Sequence, residues 1–570
     1  MVSRFRGRLI VPLLILLAAS SVYAQTYKKE LGTGVTLTQQ VIASPDAAKP
    51  EVINIITVDP KAPGVRVQAV VGGDRVMGTD ATKGREIVSS VAKRLSAVAV
   101  VNADFFPYTG DMLNLHVSGG ELISEPNPQR MVFGITSDGR LLADKVDLDA
   151  KVTLPEGKIY PIRIVNGPRS LHKLTIYTRK FADTTGTNSQ GSEAVVKCDI
   201  PALQIGTPIT GIVQEVRAGQ GDTPISEGCI VLSGSGTGQQ FIDESLKVGM
   251  TITMQFKLKP TKTESWDKVV EAVGGGPCLV ADGKVNVDGK EENFIASFYA
   301  SRHPRTAIGS TADGKIIIVT VDGRQSISVG MTLPQLADEM LSLGCVQAIN
   351  LDGGGSTTMA TSFGILNSPC EGLERPVANM LAVFATPISQ DAPEFAIQPN
   401  SEPLIAGKTT RFTLVDKAGK PISEDMACKA VWTTGGGAGF VDQSGTFYGL
   451  RSKRGNLSAR LGSRIVSLPI EIVSCEPTSL SVKFDPDPSG SANRNIITVT
   501  VKNSSGKAVP NQVVTIKVTG GTTDLSTPVT DQSGNASTGI DWNPDPAVAG
   551  LVDVSCQGSA STIIQRPEAK

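Results

Sequence analysis

The sequence predicts an α+β domain, built from mixed β-sheets with a βαβ unit, followed by two all-β sandwich modules. The chain has 570 residues, which is more than one ordinary domain holds. Residues 315–321 and 346–351 are strand-like runs on either side of a helix-like segment, and this spacing indicates a βαβ unit with parallel strands. After Pro387 helical periodicity disappears, and short strands alternate with glycine and aspartate turns in the manner of β-sandwiches.

The N-terminal residues have the pattern of a secretory signal peptide. Basic residues precede an apolar run at 9–19, and Ala24 offers a small-residue cleavage site. We therefore expect the mature chain to be secreted or periplasmic, and no later stretch is long and apolar enough to predict a transmembrane segment. The predicted parts of the chain are a signal peptide at 1–24, a folded domain at 25–387 and β-sandwich modules at 388–474 and 475–566.

Charge and cysteine content limit the classes of function. The net charge of −1 argues against a nucleic-acid-binding protein that works by bulk electrostatics. The eight cysteines contain no C-x-x-C pair, so their pattern does not indicate a zinc site. In an oxidising compartment we expect at least one disulfide, and its connectivity is open.

The N-terminal domain offers one strand whose end carries polar side chains. Residues 82–95 place apolar side chains on one helical face, and a continuous apolar run follows at 97–101. Such a run predicts a strand covered on both faces. It ends at Asn102 and Asp104, which are therefore candidates for a site at the edge of a sheet. Residues 110–265 have the turn punctuation of a β-rich region.

The helix of the predicted βαβ unit has clear boundaries. Thr332 and Gln335 match a capping box at its start, and Gly344 follows its end. The two strands that flank this helix should end at the same edge of the sheet, where open α/β sheets bind their ligands.

Polar residues follow both strands at that edge. Asp322 and Arg324 come after the first strand and Asp352 comes after the second, so we predict that they share one crevice. Asn102 and Asp104 join them if their strand is parallel too. Two alternatives stay open: the acids belong to unrelated loops, or Arg324 pairs with Asp322 as a structural strut.

The stretch after the second strand carries the strongest signal for a ligand site. Asp352 is followed by three glycines at 353–355 and then by three hydroxyl side chains. Glycine permits positive φ and close approach of a ligand to the backbone, and successive bare N–H groups can form a nest that binds an anion. We predict that Asp352 stands beside such a nest, and the alternative is an ordinary solvated turn.

Taken together, six short motifs carry a resemblance to a known family. They lie at 101–106, 274–277, 303–309, 321–324, 350–358 and 375–379. In order and spacing they resemble the phosphodiester glycosidase family, which includes phosphodiester α-N-acetylglucosaminidases. One departure concerns Asp104, because many members have glycines where this chain has Ala103 and Asp104. The second β-sandwich module resembles bacterial immunoglobulin-like domains of the invasin type through 498–501, 506–510 and 530–536, which implies an accessory role.

The resemblance implies a hydrolase that cleaves the glycosidic bond of sugar-1-phosphate diesters. The leaving group is a phosphate, so the site needs cations for phosphate and a carboxylate for the oxocarbenium-like centre, with little general-acid help. An aspartate then acts as nucleophile, base or electrostatic stabiliser, arginines grip the phosphate, and a histidine moves a proton. The implied catalytic residues are Asp352, Asp322, Arg324, Arg305 and His303, and the implied substrate-binding residues are Asn102, Asp104, Asn350, Gly353, Gly354, Gly355, Ser356, Gly275 and Gly276.

The expected partner is a sugar phosphate or a phosphodiester-linked glycan, with further cell-surface or glycan contact through the C-terminal modules. No cofactor is predicted. A divalent metal stays open, because Asp322, Asp352 and Asn350 offer oxygen ligands although no motif requires an ion.

The alternative function is a non-enzymatic surface or adhesion protein that binds glycans through its β-sandwich modules. The intact set of aspartates, arginines and glycines favours the enzyme. A serine hydrolase is disfavoured, because the sequence has no G-x-S-x-G motif.

Overall fold

The computed structural model shows a mostly β protein, with 48% of residues in strands and 8% in helices. The predicted α+β class is therefore wrong. The structure describes residues 23–567, apart from the positions 44–49, 79–81, 108, 201, 263, 288–289, 389–391, 475, 489–490, 492, 511, 532, 546 and 557–559.

The elements follow one another along the chain in three groups. In the N-terminal domain the strands are β1 (Tyr23–Gly32), β2 (Val35–Ala43), β3 (Glu51–Val58), β4 (Arg66–Val71), β5 (Ala99–Asn102), β6 (His116–Ser118), β7 (Glu121–Ser124), β8 (Met131–Thr136), β9 (Leu141–Thr153), β10 (Ile159–Ile162), β11 (Ile164–Val165), β12 (Leu174–Tyr177), β13 (Ser192–Cys198), β14 (Ile209–Arg217), β15 (Cys229–Gly234), β16 (Thr251–Pro260), β17 (Val269–Gly274), β18 (Cys278–Ala281), β19 (Lys284–Val285), β20 (Arg305–Thr311), β21 (Ile316–Val321), β22 (Cys345–Asn350), β23 (Met359–Thr361), β24 (Gly364–Ile365) and β25 (Asn379–Phe384). The helices of this domain are α1 (Val88–Arg94), α2 (Thr237–Ser245), α3 (Ala296–Ala300) and α4 (Leu333–Ser342).

The C-terminal region is built of strands apart from the single turn of α5 (Glu424–Ala427). Its first part contains β26 (Ala396–Pro399), β27 (Leu404–Ile405), β28 (Thr409–Val415), β29 (Val431–Gly435), β30 (Gly439–Val441), β31 (Thr446–Gly449), β32 (Arg454–Leu461) and β33 (Arg464–Val473). Its second part contains β34 (Ser479–Pro486), β35 (Arg494–Lys502), β36 (Val514–Thr519), β37 (Gly521–Thr523), β38 (Asn535–Trp542), β39 (Leu551–Cys556) and β40 (Ala560–Gln565).

The predicted βαβ unit is replaced by a sheet with an antiparallel strand in its middle. The sheet has the order β1-β2-β3-β21-β20-β22-β18-β19. Strand β20 pairs antiparallel with both β21 and β22, so these two strands are not neighbours. The reason is the tight turn at Asp313 and Gly314, where a φ of +87° at Gly314 lets β20 fold directly back onto β21. Strands β21 and β22 still run in the same direction.

Helix α4 has the start that its sequence predicts. Thr332 accepts from the Gln335 amide, and the Gln335 side chain reaches back to the backbone of Thr332, so the capping box is present. Its buried face, which includes Leu336 and Met340, packs in one cluster with the β21 side chains. The helix thus covers the sheet without making its two flanking strands adjacent.

A second sheet holds most of the region 116–274 in the order β11-β12-β15-β13-β14-β16-β9-β8-β17-β6-β7, with β10 beside β9. Its apolar core includes Trp266 and Phe256, both almost fully buried. The region was predicted to be β-rich, and this is confirmed. The sheet positions the glycine loop at the end of β17, which adjoins the candidate site.

A third sheet crosses the predicted boundary at residue 387. Its order is β27-β33-β32-β29-β24-β23-β5-β25-β4, and the crossing is the pairing of Ile365 in β24 with Thr434 in β29. Two further contacts join the same parts: the Gln443 amide donates to the Gln39 side chain at 2.8 Å, and Arg460 donates to the Leu31 carbonyl at 2.9 Å. The first sandwich module is therefore continuous with the N-terminal domain.

The second module has two sheets of its own, β34-β35-β38-β37 and β36-β39-β40, around a core that contains Trp542. This all-β region is consistent with the immunoglobulin-like modules that the sequence predicts.

The sequence predicts a signal peptide and at least one disulfide. The predicted signal peptide lies outside the described residues except for its last two positions, which open β1. None of the cysteines that the structure describes between 198 and 428 is in a disulfide, so the predicted disulfide is not seen among them. No helix in the described part of the chain is both long and apolar enough to cross a lipid bilayer.

Candidate active site

Asp352 lies at the end of β22, in a loop held by the two segments beside it. Its amide donates to the Ala103 carbonyl at 2.8 Å, and the Gly354 amide donates to the Pro304 carbonyl at 2.9 Å. A Cβ at Gly353 would come within 2.7 Å of the Pro304 oxygen, and Gly354 has a φ of +61°. Both positions therefore require glycine, and the loop brings Asp352 between β5 and β20.

The predicted anion nest is not open, because its first N–H groups are used inside the protein. The Gly353 amide donates to the Asp352 carboxylate at 2.9 Å, and the Gly354 amide donates to Pro304. The Ser356 amide donates to the Gly353 carbonyl at 3.1 Å. The glycines thus shape a short 3-10 turn at Gly354–Ser356 and orient Asp352.

Asn102 positions the Asp352 loop. Its side-chain nitrogen donates to the Asp352 carbonyl at 2.6 Å. Its side-chain oxygen accepts from the Thr306 hydroxyl at 3.0 Å and from the Thr358 amide at 3.1 Å. Asn102 ends strand β5, which belongs to the third sheet and is antiparallel to β23 and β25. Asn102 therefore lies at the site although β5 is not a parallel neighbour of β21 and β22.

Asp104 is a second carboxyl group at the site and is almost fully buried, with 1% exposure. One oxygen accepts from the Phe105 amide at 2.8 Å, and the other has no hydrogen-bond partner among the described residues. Burial raises the pKa of Asp104 to about 8, with a further upward contribution from the negative charge of Asp352 and an opposing one from Arg130. At neutral pH this carboxyl group is therefore mostly protonated.

Asp352 is partly exposed as a residue, and its carboxyl group has a lower pKa than that of Asp104. Burial raises the pKa of Asp352 to about 6, and the Ser356 hydroxyl, the Gly353 amide and the charge of Arg375 oppose the rise. At neutral pH Asp352 is mostly ionised. The site thus holds one ionised and one protonated carboxyl group, a division of states that suits acid and base roles.

Asp322, a predicted catalytic residue, is a buried structural group. It has 0% exposure, and its oxygens accept from the Asn367 side chain at 2.9 Å and from the Ser368 amide at 2.9 and 3.0 Å. Burial raises its pKa to about 7 against these hydrogen bonds. Because its oxygens are engaged inside the protein, Asp322 holds the 367–368 segment and does not offer a carboxylate to a substrate.

Arg324 carries the exposed positive charge of the site. Its φ is +58°, and its guanidinium lies 3.4 Å from the place a Cβ would take on Gly354. Two of its nitrogens lie 3.1 and 3.4 Å from Nδ1 of His303. Within the described part of the chain no carboxylate lies within the 4.0 Å of an ion pair, so the strut with Asp322 is not formed. This guanidinium is available for a phosphate.

His303 is a neutral acceptor for Arg324. Burial lowers the pKa of His303, and the charges of Arg324 and Arg305 lower it further. A guanidinium can only donate, so Nδ1 of His303 accepts and its proton resides on Nε2. His303 therefore orients Arg324.

Arg305, also predicted to be catalytic, is a buried brace. Its Nε donates to the Met331 carbonyl at 2.9 Å, and its Nη2 donates to the carbonyls of Phe298 and Ser301 at 2.8 Å. Burial and the nearby Arg324 lower its pKa to about 10. With three donor contacts to backbone, Arg305 fixes helix α3 beside the site.

Asn350 and the glycine loop after β17 form the floor next to these groups. The Asn350 side chain donates to the Gly276 carbonyl at 2.8 Å, and the Gly276 amide donates to the Asn350 carbonyl at 2.7 Å. The side-chain oxygen of Asn350 has no hydrogen-bond partner within the described chain. Gly275 lies against Asn350 and leaves no room for a Cβ, so these residues join β17 to β22.

Sequence reasoning missed three side chains that act on the two carboxyl groups. Arg375 pairs with Glu371 and lowers the pKa of Asp352. Asn379 accepts from the Asp104 amide at 2.8 Å. Arg130 lowers the pKa of Asp104 and belongs to none of the motifs. Arg375 and Asn379 do lie in the 375–379 motif, which was the signal available for them.

No group of three or more His, Cys, Asp and Glu side chains among the described residues is arranged to hold a metal ion.

Known proteins resemble this chain at the level of a family and a fold. Residues 208–384 match the family model described as phosphodiester glycosidase. An uncharacterized prophage-derived protein of Bacillus subtilis is 39% identical over 97 residues, which cover 17% of this chain and 15% of the relative. The mouse N-acetylglucosamine-1-phosphodiester α-N-acetylglucosaminidase is 25% identical over 156 residues, covering 26% of this chain and 30% of the enzyme. The chain thus matches less than a third of the length of these relatives. The resemblance inferred from the motifs is confirmed.

A solved structure from Burkholderia pseudomallei shares the fold. It is 18% identical, has a TM-score of 0.52, and the match covers 66% of this chain and all of the other.

Proposed function

We propose, from the phosphodiester glycosidase match at 208–384, that this protein is an exported hydrolase that cleaves the glycosidic bond of sugar-1-phosphate diesters. One observation carries the proposal. The partly exposed residue Asp352 lies on a glycine turn against which the guanidinium of Arg324 rests, without a carboxylate partner among the described residues. A negative charge for the anomeric centre, carried by the turn, and a positive charge for the phosphate, carried by the side chain that rests on it, thus lie at one site.

The chemistry follows from the two charges. Arg324, oriented by His303, holds the phosphate that leaves with the electron pair of the broken C1–O bond. Asp352 stabilises the positive charge that develops at C1, to which water adds while its proton passes to a carboxylate. Asp104 is protonated at neutral pH, so it does not repel the ionised Asp352 and can exchange a proton with the site.

Export is part of the proposal. The basic and apolar N-terminal pattern supports a signal peptide that ends at Ala24. Intact mass of the protein recovered from the culture medium or periplasm should correspond to a chain that begins at Gln25. Recovery of the full-length chain from the cytoplasm alone would contradict export.

The bond that is cleaved distinguishes this enzyme from a phosphodiesterase. The test is hydrolysis of a nitrophenyl-phosphate diester of an α-linked N-acetylglucosamine in water enriched in oxygen-18. We expect the label in the sugar and none in the released phosphate monoester. Label in the phosphate would show cleavage of the P–O bond and would refute the proposal. Glycan binding without hydrolysis of any sugar phosphodiester would instead favour the adhesion protein.

A further inference from the structure

A cluster of aromatic side chains adjoins Asp104. Phe294 and Phe298 stack with ring centroids 4.8 Å apart, and Phe105 lies 5.7 Å from the first and 6.0 Å from the second. All three rings are partly exposed. Phe105 directly follows Asp104 and donates its amide to that carboxyl group at 2.8 Å. The cluster is therefore part of the wall that flanks the candidate active site.

Arg130 lies on this aromatic cluster with no carboxylate partner. Its guanidinium carbon is 4.7 Å from the ring centroid of Phe294 and 5.4 Å from that of Phe105. Among the described residues no carboxylate is within ion-pairing distance of it. A guanidinium stacked on rings keeps its in-plane N–H groups free, so Arg130 is oriented for a planar or tetrahedral anion.

Buried contacts fix the segments that carry these side chains. The carboxyl group of Glu292 accepts from the amides of Met131 and Cys278 at 3.1 and 2.7 Å. The Asn293 side chain donates to Gln129 at 2.6 Å, one residue before Arg130. From the other side Arg305 holds the carbonyl of Phe298. The wall is thus preorganised, and the cost of ordering it on binding is small.

The two unpaired cations contact different parts of the site. Arg324 lies against Gly354 and His303, whereas Arg130 lies against Phe105 and Phe294. A sugar phosphodiester with a single negative charge occupies only one of them. The aromatic rings offer the apolar surface that a sugar ring covers, and Arg130 stands at that surface.

We propose that Phe105, Phe294 and Arg130 form a second subsite, which binds a sugar ring that carries its own negative charge. The inference rests on the proposed function and names its substrate class: a glycosyl phosphodiester whose sugar bears a second anionic group. That group is either another phosphate, as inside a polymer of sugar phosphates, or a carboxylate, as in a uronic acid. Arg324 takes the phosphate that leaves, and Arg130 takes the charge on the sugar.

The test compares substrates that differ only in the charge on the sugar. The three are nitrophenyl-phosphate diesters of N-acetylglucosamine, of N-acetylglucosamine 6-phosphate and of N-acetylglucosaminuronic acid, which share the 2-acetamido group and differ at C6. We expect the wild-type protein to prefer a charged sugar, and R130Q to lower the ratio of kcat/KM for charged over neutral substrate by about tenfold or more, the usual effect of losing one charge-assisted hydrogen bond. The better of the two charged substrates identifies the source of the anion.

The ratio of kcat/KM for charged over neutral substrate corrects for a second effect of R130Q. Loss of the Arg130 charge also raises the pKa of Asp104, which alters the hydrolysis of charged and neutral substrates alike and cancels in the ratio. The matched control is R140Q, because Arg140 is a partly exposed arginine at the β8–β9 turn paired with Asp138. We expect R140Q to keep the wild-type ratio.

Binding of products gives a second measurement that does not need turnover. By calorimetry, N-acetylglucosamine 6-phosphate or N-acetylglucosaminuronic acid should bind the wild-type protein more tightly than N-acetylglucosamine, and R130Q should remove the difference. Equal binding in the wild-type protein, or a charge preference that survives in R130Q, overturns the second subsite. Failure to hydrolyse any of the diesters while the binding difference is present refutes the proposed function and leaves the subsite supported.

Discussion

Asp322 and Asp352 begin from the same local sequence and end in different environments. Each follows a buried strand, each precedes a glycine, and β21 and β22 run in the same direction. Asp322 is fully buried and accepts from Asn367 and Ser368. Asp352 is partly exposed, and the Gly353 amide is the backbone donor to its carboxylate.

The difference lies in what covers each carboxyl group. The segment 367–368, far from Asp322 in sequence, folds over it and satisfies its oxygens. Among the residues that the structure describes, no segment of this kind closes over Asp352, whose loop is held instead through backbone contacts to Ala103 and Pro304. An aspartate after a strand is thus a candidate for chemistry only where the tertiary structure leaves its oxygens free.

The largest expected effect is the loss of activity in D352N. Asparagine keeps the shape and can still accept from the Gly353 amide, but it loses the charge that the proposed mechanism places at the anomeric centre. We expect kcat/KM on the nitrophenyl phosphodiester to fall by roughly two to three orders of magnitude, as for other preorganised electrostatic groups. Circular dichroism should show an intact fold. If D352N keeps near-wild-type kcat, the comparison fails, because Asp352 is then a turn residue as well.

For Asp322 we expect a loss of stability. In D322A the Ser368 amide and the Asn367 side chain lose their buried acceptor, which destabilises the protein by about 2–3 kcal/mol. A fall in Tm of about 3–4 °C should follow in a thermal melt, because a domain of this size has a large entropy of unfolding. D322N retains an acceptor oxygen and should lose less. The activity of D322N per folded molecule should stay within about threefold of wild type. If D322N loses its activity while its Tm is unchanged, Asp322 takes part in the reaction.

Sequence patterns predicted the features of this region that depend on neighbouring residues. They did not predict the features that depend on segments distant in the sequence. The capping box at Thr332 and Gln335 is local chemistry, and it was predicted correctly. The strand that pairs with β21 is β20, joined to it by a hairpin. The prediction from sequence, that a helix crossover makes β21 and β22 one βαβ unit, was wrong. Arg130 acts on Asp104 only after three sheets have assembled, so no spacing in the sequence could indicate it.

The third prediction separates charge from geometry at the cation beside the glycine turn. R324A should lower kcat/KM on the phosphodiester by about tenfold to thirtyfold, the range of a single charge-assisted hydrogen bond. R324K should lower it less, because the charge survives while the bidentate fork is lost. Residual cleavage of a neutral aryl glycoside should change little in either variant.

The control for Arg324 is R163A, which removes an exposed arginine between β10 and β11 of the second sheet. It should leave both reactions at wild-type rates. Equal losses on the phosphodiester and the neutral glycoside in R324A would show that Arg324 supports the fold of the loop and does not grip phosphate.

The smallest expected effect is on the pH dependence of stability, and it separates the two aspartates by their pKa values. Burial raises the folded-state pKa of Asp322 to about 7 from 3.8, so between these values the folded state binds more protons than the unfolded state. The stabilising contribution of protonated Asp322 is therefore present at low pH and is lost as the pH rises through about 7. For Asp352 the loss ends near pH 6, because its folded-state pKa is raised only to about 6.

The measurement is the difference in Tm between wild type and each variant as a function of pH. We expect the difference between wild type and D322N to fall by a few degrees between pH 5 and pH 7.5. We expect the difference between wild type and D352N to fall mainly below pH 6. Buried acids that Asp322 and Asp352 do not influence, such as Glu125 and Glu271, titrate in both members of each pair and cancel. Asp104 leaves a smaller difference in the D352N pair, because the charge of Asp352 raises its pKa in the wild-type protein. If the two differences in Tm change with pH in the same way, the contrast between the two aspartates is wrong. The segment 367–368 that covers Asp322 would then have no effect on the pKa of its carboxyl group.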